Sequence, residues 1–191
     1  MSTKVVLSNV RLLFPVLFDP QPFKNSVSYS LQCDLEGDNL NKILEGVKTQ
    51  EDSEFLKKKW GVNCKKKIAE LKKNKTTFFL HRKTDKDGNE LDEYFIRPKR
   101  SATAGRPMLL DKNNQVVTED FGTFYPGCFV HLSLEIYIQS NGDKEGGADG
   151  IRCKLLGVKF AKDGDRIDAG QRPDVSDFDE LEIEDSDEDL E

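Results

Sequence analysis

Residues 128–139 read C-F-V-H-L-S-L-E-I-Y-I-Q, and apolar and more polar side chains alternate along the whole stretch. An alternation of period two places successive side chains on opposite faces of a β-strand. One face would consist of Cys128, Val130, Leu132, Leu134, Ile136 and Ile138, and the other of Phe129, His131, Ser133, Glu135, Tyr137 and Gln139. The stretch therefore predicts a strand with one dry face, and it is the clearest sign of a β-rich fold in this chain.

Upstream of this strand, the sequence predicts two more strands and a helical segment. Residues 5–18 mix β-branched and aromatic side chains, and residues 26–35 alternate apolar and polar side chains over ten positions. In residues 39–49 the apolar side chains recur at the spacing of an amphipathic helix. Residues 51–73 continue in a helical style, and we expect Gly61 to divide them.

Turn signals separate the strands predicted for the rest of the chain. Asp87-Gly88 is a strong hairpin signal, and residues 112–114 mark a second hairpin. Residues 140–150 are expected to form a mobile loop. The apolar phase slips at residues 155–157, which indicates a β-bulge. The predicted strands in this part are residues 76–83, 91–100, 108–110, 115–118, 128–139 and 151–160.

Together these segments make six or seven strands with a helical insertion after the second strand. Short strands separated by turns favour closed or sandwiched antiparallel sheets over a parallel β-α-β arrangement. The sequence thus predicts a mainly β protein, either an OB-fold-like antiparallel barrel of five or more strands, partly open, or a sandwich. The expected boundaries are residues 1–173 for this domain, with the insertion at about residues 38–74, and residues 174–191 for a tail.

The tail differs from the rest of the chain in its charge. Eleven of residues 174–191 are Asp or Glu, and none is Lys or Arg. The full chain has a net charge of −6, whereas the chain without this tail has 29 basic and 24 acidic side chains. High charge with few apolar residues predicts disorder for the tail. The sequence therefore describes a mildly basic domain with a disordered acidic appendage.

The sequence lacks the motifs of common catalytic and metal sites. It contains no glycine-rich phosphate loop, no H-E-x-x-H and no G-x-S-x-G, and its two histidines, His81 and His131, are isolated. The four cysteines form no C-x-x-C pair, so we expect buried free thiols in a reducing compartment rather than zinc ligands. We therefore expect a protein without catalysis, cofactor or metal. No apolar run approaches a membrane span, which favours the cytoplasm and no membrane partner.

Basic and aromatic residues are concentrated in residues 54–106, which contain sixteen Lys or Arg against seven Asp or Glu. Alternation places Phe95, Arg97 and Lys99 on one face of a predicted strand. Cations that follow phosphates and rings that stack on unpaired bases are what single-strand binding requires. The segment therefore predicts a surface for single-stranded nucleic acid, although part of its rings would belong to the core.

The residues predicted to contact DNA form three groups. Basic side chains of the strands would neutralise phosphates, rings would stack on bases, and lysine clusters of the helical segment would extend the electrostatic track. The predicted phosphate contacts are Arg97, Lys99, Arg100 and Arg106. The predicted stacking rings are Tyr94, Phe95, Tyr125, Phe129 and, as a weaker candidate, Trp60. The lysine clusters are Lys57, Lys58, Lys59, Lys65, Lys66 and Lys67.

The acidic tail has a predicted role beside this basic surface. A tethered run of carboxylates competes with nucleic acid for a basic groove at high effective concentration. The tail also carries the apolar side chains Phe178, Leu181, Ile183 and Leu190, which a partner protein could bind. We therefore expect the tail to compete for the groove and, once displaced, to recruit other proteins.

Several stretches of the sequence resemble one known family. The stretches are residues 7–18 (L-S-N-V-R-L-L-F-P-V-L-F), Ser28-Tyr29-Ser30, Lys59-Trp60-Gly61, Arg106-Pro107, residues 124–130 (F-Y-P-G-C-F-V), residues 150–165 (G-I-R-C-K-L-L-G-V-K-F-A-K-D-G-D) and Asp177-Phe178-Asp179. They resemble the OB-fold single-stranded DNA-binding proteins of bacteriophage replisomes, in particular a large phage family long catalogued as a domain of unknown function.

This resemblance implies an OB fold and cooperative or dimer-assisted coating of single strands in phage DNA replication or recombination, within the host cytoplasm. It also implies that the tail contacts a polymerase, primase or helicase. Many tails in this family end in an aromatic residue, whereas this one ends Asp189-Leu190-Glu191. Phe178 would therefore supply the ring if the partner requires one.

Two other functions are compatible with the sequence. A strand-annealing recombination protein also binds single strands, and an assay for the pairing of complementary strands separates it from a coating protein. A protein adaptor or DNA mimic would act through the acidic tail alone. That alternative predicts no affinity for oligonucleotides once the tail is removed.

Overall fold

The first two strands form the base of a curved sheet in the computed structural model, which describes residues 2–23, 26–139 and 149–167. Strand β1 (Ser2–Phe23) pairs antiparallel with β2 (Ser26–Leu35) through its second half. Its first half pairs antiparallel with a strand from the C-terminal part of the chain. Register shifts mark bulges along β1, and bulges bend a strand. One long strand can therefore pair with two neighbours of a closed sheet.

The predicted helical insertion follows β2. It consists of α1 (Gly37–Glu51), α2 (Glu54–Trp60), a 3₁₀ turn (Gly61–Asn63) and α3 (Cys64–Lys73). The predicted division at Gly61 is confirmed, and its φ of 52° is one that glycine adopts at little cost. Helix α1 packs against the barrel at Gly46, where an added Cβ would lie 2.7 Å from Ile136 Cδ1 and 2.9 Å from Val5 Cγ2.

Six strands follow the insertion in the described residues. They are β3 (Leu80–Thr84), β4 (Glu90–Ile96), β5 (Lys99–Ser101), β6 (Met108–Leu110), β7 (Phe129–Gln139) and β8 (Gly150–Lys162). Strands β3 and β4 form the predicted hairpin. In its turn, the Asp85 carboxylate accepts hydrogen bonds from the N–H groups of Asp87 and Asn89 at 2.9 and 2.8 Å.

Five strands close into a barrel in the order β1-β2-β5-β8-β7, with β7 returning to β1. The pairs are antiparallel except for the closing pair of β5 with β8, where Lys99 lies beside Lys154 in parallel. The predicted mainly β, OB-fold-like barrel with a helical insertion after the second strand is therefore confirmed. The hairpin β3–β4 extends from β2 beyond the ring.

The barrel interior is apolar and tightly closed. Its fully buried side chains include Leu7, Leu12, Leu31, Leu132, Leu134, Ile136 and Leu155. All four cysteines are buried and free, as predicted. Burial raises the pKa of the Cys33 and Cys153 thiols well above the ordinary value, so both stay protonated and behave as small apolar groups. Among the described residues, no helix combines the length and apolar character that a membrane crossing requires.

Three of the predicted strands are shortened, interrupted or absent in the structure. Residues 76–79 are not strand, because the Asn74 side chain accepts a hydrogen bond from the Thr76 N–H at 2.9 Å and holds a turn. Residues 91–100 are interrupted at Pro98, which has no N–H for a ladder bond. Residues 115–118 are not a strand either. Val116 makes only an isolated bridge to Leu110, and β6 pairs in parallel with β8 instead.

The predicted bulge in β8 is confirmed. Ser133 of β7 pairs with Gly157, but the next residue, Leu134, pairs with Leu155, so Leu156 is the extra residue. The described residues end at Ile167. Most of the expected loop at residues 140–150 and the whole expected tail at residues 174–191 lie outside the described residues.

Candidate nucleic-acid interface

A groove of about 1470 Å³ runs over the outer face of the barrel, where β3, β4 and β5 approach β7 and β8. Five of its lining residues carry rings, and six carry positive charge. The rings are those of Phe78, Phe79, His81, Phe95 and Tyr137. The cations are Lys75, Arg82, Arg97, Lys99, Arg152 and Lys154. Glu135 is the one carboxylate among the described lining residues.

Strand alternation in β4 and β5 brings the central residues of this groove to the surface. Ile96 and Pro98 are buried, whereas Phe95 is half-buried and Arg97 and Lys99 are exposed. This is the grouping that the sequence predicted. The structure therefore brings Phe95, Arg97 and Lys99 together on one face of the barrel.

The cation in the middle of the groove is held in place. The Arg97 Nε donates a hydrogen bond to Gln32 Oε1 at 2.6 Å, and its guanidinium lies 5.2 Å from the centre of the Phe95 ring. The Phe95 ring also packs against His81, with 5.2 Å between the ring centres. Burial, together with the positive charges of Arg97 and Lys75, lowers the pKa of His81 below its ordinary value of 6.5. The imidazole is therefore neutral at pH 7.

Strand β8 adds two cations that sequence reasoning missed. Arg152 and Lys154 alternate with the buried residues Ile151, Cys153 and Leu155, so they lie on the outer face. The same alternation is visible in the sequence, but this strand is far in sequence from the basic segment of residues 54–106. Only the parallel pairing of β8 with β5 places these cations beside Lys99.

Strand β7 contributes a ring and the carboxylate of the groove. Tyr137 is half-buried on the outer face, and burial raises the pKa of its hydroxyl. The Glu135 carboxylate accepts a hydrogen bond from Ser2 Oγ at 2.6 Å and lies 3.8 Å from Lys154 Nζ. Because its charge is balanced by this neighbour, the groove keeps an excess of positive charge.

His81, Phe78, Lys75 and Arg82 also line the groove, although they were not among the predicted contacts. Their positions depend on the turn at Asn74 and on the short strand β3, both of which the sequence placed differently. Alternation within residues 76–83 places Phe78 and Arg82 on one face of a strand and His81 on the other, so it does not predict that the three line one groove.

Three other predicted contacts lie outside the lining of the groove. Tyr94 is on the opposite face of β4 and packs against the core, and its hydroxyl accepts a hydrogen bond from Arg82 Nη2 at 2.7 Å. The Arg100 guanidinium donates to the carbonyl oxygens of Gly105 and Ala104 at 2.7 and 2.8 Å. The Arg106 guanidinium donates to the Thr118 carbonyl oxygen at 2.7 Å. These two arginines stabilise loops by hydrogen bonds to backbone carbonyl oxygens.

Tyr125 and Phe129 lie together at the other end of β7, about 26 Å along the strand from Tyr137 at the usual rise per residue. The Tyr125 hydroxyl donates to Asp163 Oδ1 at 2.8 Å. The Phe129 ring lies under the Lys162 ammonium, with 4.7 Å between the nitrogen and the ring centre. The structure therefore places these two predicted rings in a separate cluster.

The helical insertion carries the remaining predicted contacts. Trp60 is half-buried and packs against the core. The lysines at positions 57, 58, 59, 65 and 66 are exposed, whereas Lys67 is half-buried and lies 3.6 Å from the Asp149 carboxylate. None of these lysines lines the groove. The predicted tail contacts Phe178, Leu181, Ile183 and Leu190 lie outside the described residues.

Known proteins match this chain over nearly its full length. The family model described as Enterobacter phage Enc34, ssDNA-binding protein, matches residues 3–190. The protein p50 of Acyrthosiphon pisum secondary endosymbiont phage 1 is 30% identical, and the match covers 97% of each protein.

Two solved structures share the fold. The single-stranded DNA-binding protein from bacteriophage Enc34, in complex with ssDNA, has a TM-score of 0.60 at 20% identity, over 86% of this chain and 89% of that one. The single-stranded DNA-binding protein gp2.5 of bacteriophage T7 has a TM-score of 0.51 at 12% identity, over 96% of this chain and 97% of that one. Since the family model spans almost the whole sequence, the chain belongs to the phage family described as Enterobacter phage Enc34, ssDNA-binding protein.

Proposed function

We propose that this protein binds single-stranded DNA along the groove, largely independently of base sequence, during phage DNA replication or recombination. The observation that carries this proposal is the composition of the groove: the partly exposed rings of Phe95 and Tyr137 beside six cations, with a single carboxylate among its described residues. Phosphates require the cations, and the faces of unpaired bases require the rings. In this proposal the groove binds and releases the strand without making or breaking a bond.

The residues of the groove divide into two roles. Arg97, Lys99 and the two cations of β8 neutralise phosphates, because all four line the groove and Lys99 lies beside Lys154 across the paired strands β5 and β8. Phe95 and Tyr137 offer partly exposed rings on the same face. Each base has a π-face, so stacking on these rings discriminates little among sequences. The lysine clusters at residues 57–59 and 65–67 extend the positive field beyond the groove and raise the rate of association.

A single strand fits this surface better than a duplex. In a duplex the base faces are covered by their neighbours in the stack, so rings such as Phe95 and Tyr137 have nothing flat to contact. An unstacked strand exposes those faces, so its bases stack on the rings while its phosphates bind the cations. We therefore expect a preference for single strands at equal length and equal salt.

The acidic tail is proposed as a regulator of this groove. Residues 1–173 would form the DNA-binding unit, and residues 174–191 would compete for the groove through their eleven carboxylates. Once a strand displaces the tail, its apolar side chains, among them Phe178, would be available to a polymerase, primase or helicase. This part of the proposal is supported by the charge distribution of the sequence.

A titration of fluorescently labelled oligo-dT and of a duplex of equal length tests the proposal. The full chain and a chain that ends at Pro173 are compared. We expect both to prefer the single strand, and the shortened chain to bind more tightly because a competing polyanion has been removed. The absence of oligo-dT binding by the shortened chain would refute the proposal and favour the protein adaptor. Rapid pairing of complementary strands in the same samples would add annealing to the function.

A further inference from the structure

Phe14 has two properties that the fold alone does not explain. Its φ is 46°, in a region that a bulky L-residue rarely adopts. It also precedes Pro15, and a residue before proline prefers φ near about −120°. The residue is nevertheless 67% exposed, so burial does not compensate for the backbone conformation. A strained, exposed aromatic residue is a sign of a functional constraint.

The other described residues with positive φ, apart from glycines, have ordinary explanations. They are Asn9 and Asn114, with φ of 52° and 64°, and asparagine tolerates this conformation. The Asn9 N–H donates to His131 Nδ1 at 3.3 Å, and the Asn114 N–H donates to the Asp111 carbonyl oxygen in a turn. Phe14 is therefore the residue of this set whose type conflicts with its backbone.

Phe14 lies in a bulge that borders the groove cations. In β1, Leu13 pairs with Gln32 and Val16 pairs with Ser30, and Phe14 falls between these two positions. Gln32 is the residue that accepts the hydrogen bond from Arg97, and Ser30 pairs with Lys99. Adjacent strands are about 4.8 Å apart, so β1 is about 10 Å from β5, which begins at Lys99.

We infer that Phe14 stacks on a base of the bound single-stranded DNA, at the point where the DNA leaves the groove and crosses β2 toward β1. This inference rests on the proposed single-strand function. A bulge redirects a side chain, and here it holds a ring outward beside phosphates bound at Arg97 and Lys99. The occupant is a nucleobase of the same DNA strand. The cations Arg97 and Lys99 hold the phosphates of that strand nearby, and the bases of a single strand are unpaired.

The test replaces the ring and keeps the bulge. Phe14→Asn substitutes a residue that tolerates positive φ, so the midpoint of unfolding should stay the same or rise. Its affinity for oligo-dT should fall by about 5- to 140-fold, the loss of one stacked base. Phe14→Gly repeats the measurement with the most permissive residue, in case asparagine disturbs the bulge.

A fluorescence variant gives a second readout that a structural role would not change. Trp60 is the single tryptophan of the chain, so Phe14→Trp in a Trp60→Phe background reports on position 14 alone. We expect oligo-dT to quench this fluorescence over the same range of concentrations in which this variant binds it. Leu44→Trp in the same background is the matched control, since Leu44 is 45% exposed on α1 and outside the groove, and it should show no quenching.

The outcomes separate this inference from the proposed function. Wild-type affinity in Phe14→Asn and Phe14→Gly, or unquenched fluorescence in a Phe14→Trp chain that binds oligo-dT, would overturn the stacking role and leave the groove proposal standing. A wild-type chain that ends at Pro173 and binds no oligo-dT would overturn the function itself, and the inference with it.

Discussion

Removal of two cations from the centre of the groove should change the salt dependence of DNA binding by a predictable amount. The variant is Arg97→Gln together with Lys99→Gln. Both side chains are exposed on the outer face, so the substitutions should leave the barrel intact. Arg97 donates to Gln32 across the surface of the sheet, and glutamine at position 97 can retain a polar contact there. The expected effect is therefore on binding rather than on folding.

The magnitude follows from the number of phosphates that the groove can neutralise. Each contact with a single strand contributes about 0.7 to the slope of log affinity against log salt. The four groove cations assigned to phosphates are Arg97, Lys99, Arg152 and Lys154. They give a slope of about −3, so binding should weaken by about 50-fold between ~50 and ~200 mM salt. The double variant retains two of them, and its binding should weaken by only about 7-fold over the same range.

The assay is fluorescence anisotropy of labelled oligo-dT at several salt concentrations, with chains that end at Pro173 so that the tail does not compete. Lys86→Gln together with Lys112→Gln is the matched control. Both lysines are exposed in turns outside the groove, and the change in net charge is the same. An equal loss of slope in the control would mean that overall charge, and not the groove, determines binding. A slope unchanged in the groove variant would refute the placement of phosphates on Arg97 and Lys99.

Three further predictions follow from the same structure. Gly127→Ala should lower the free energy of unfolding by about 1–3 kcal/mol, measured by urea denaturation, because φ at Gly127 is 106° and an added Cβ would overlap the Asp165 carbonyl oxygen; unchanged stability would contradict the packing of residues 165–167. The lowered pKa of His81 means that the unfolded chain binds the proton more readily than the folded chain. The wild type should therefore lose stability relative to His81→Gln as the pH falls from about 7 to 5, and parallel curves of stability against pH would contradict the half-buried, cation-flanked imidazole. Tyr137→Leu keeps apolar bulk but removes the aromatic face, so its oligo-dT affinity should fall about 5- to 140-fold while its unfolding midpoint changes little, and Tyr137→Phe should bind like the wild type.

Much of the fold could be predicted because its signals are local. The alternation in residues 128–139 and the slip at residues 155–157 each depend on neighbours within one strand, and both predictions are confirmed. Closure of the barrel is not local. It depends on a parallel pair between Lys99 and Lys154, which are far apart in sequence. The alternation of apolar and polar residues within one strand does not show which strands will pair.

The candidate site was predicted in part for the same reason. Phe95, Arg97 and Lys99 follow from alternation within one strand, whereas Arg152 and Lys154 become neighbours of Lys99 only after the barrel has closed. Loop carbonyls, which positive side chains such as Arg100 bind, leave no mark in the sequence. The local density of positive charge therefore identified the segment that carries Phe95, Arg97 and Lys99, but not the residues of other strands that also line the groove.

Photochemical cross-linking tests the central claim most directly. Oligo-dT with 5-iododeoxyuridine at successive positions is bound to the protein and irradiated, and the attached residues are identified by mass spectrometry of peptides. The proposed groove predicts cross-links at Phe95 and Tyr137. Cross-links confined to the cluster of Tyr125 and Phe129, or to α2 and α3 at residues 54–73, would contradict it.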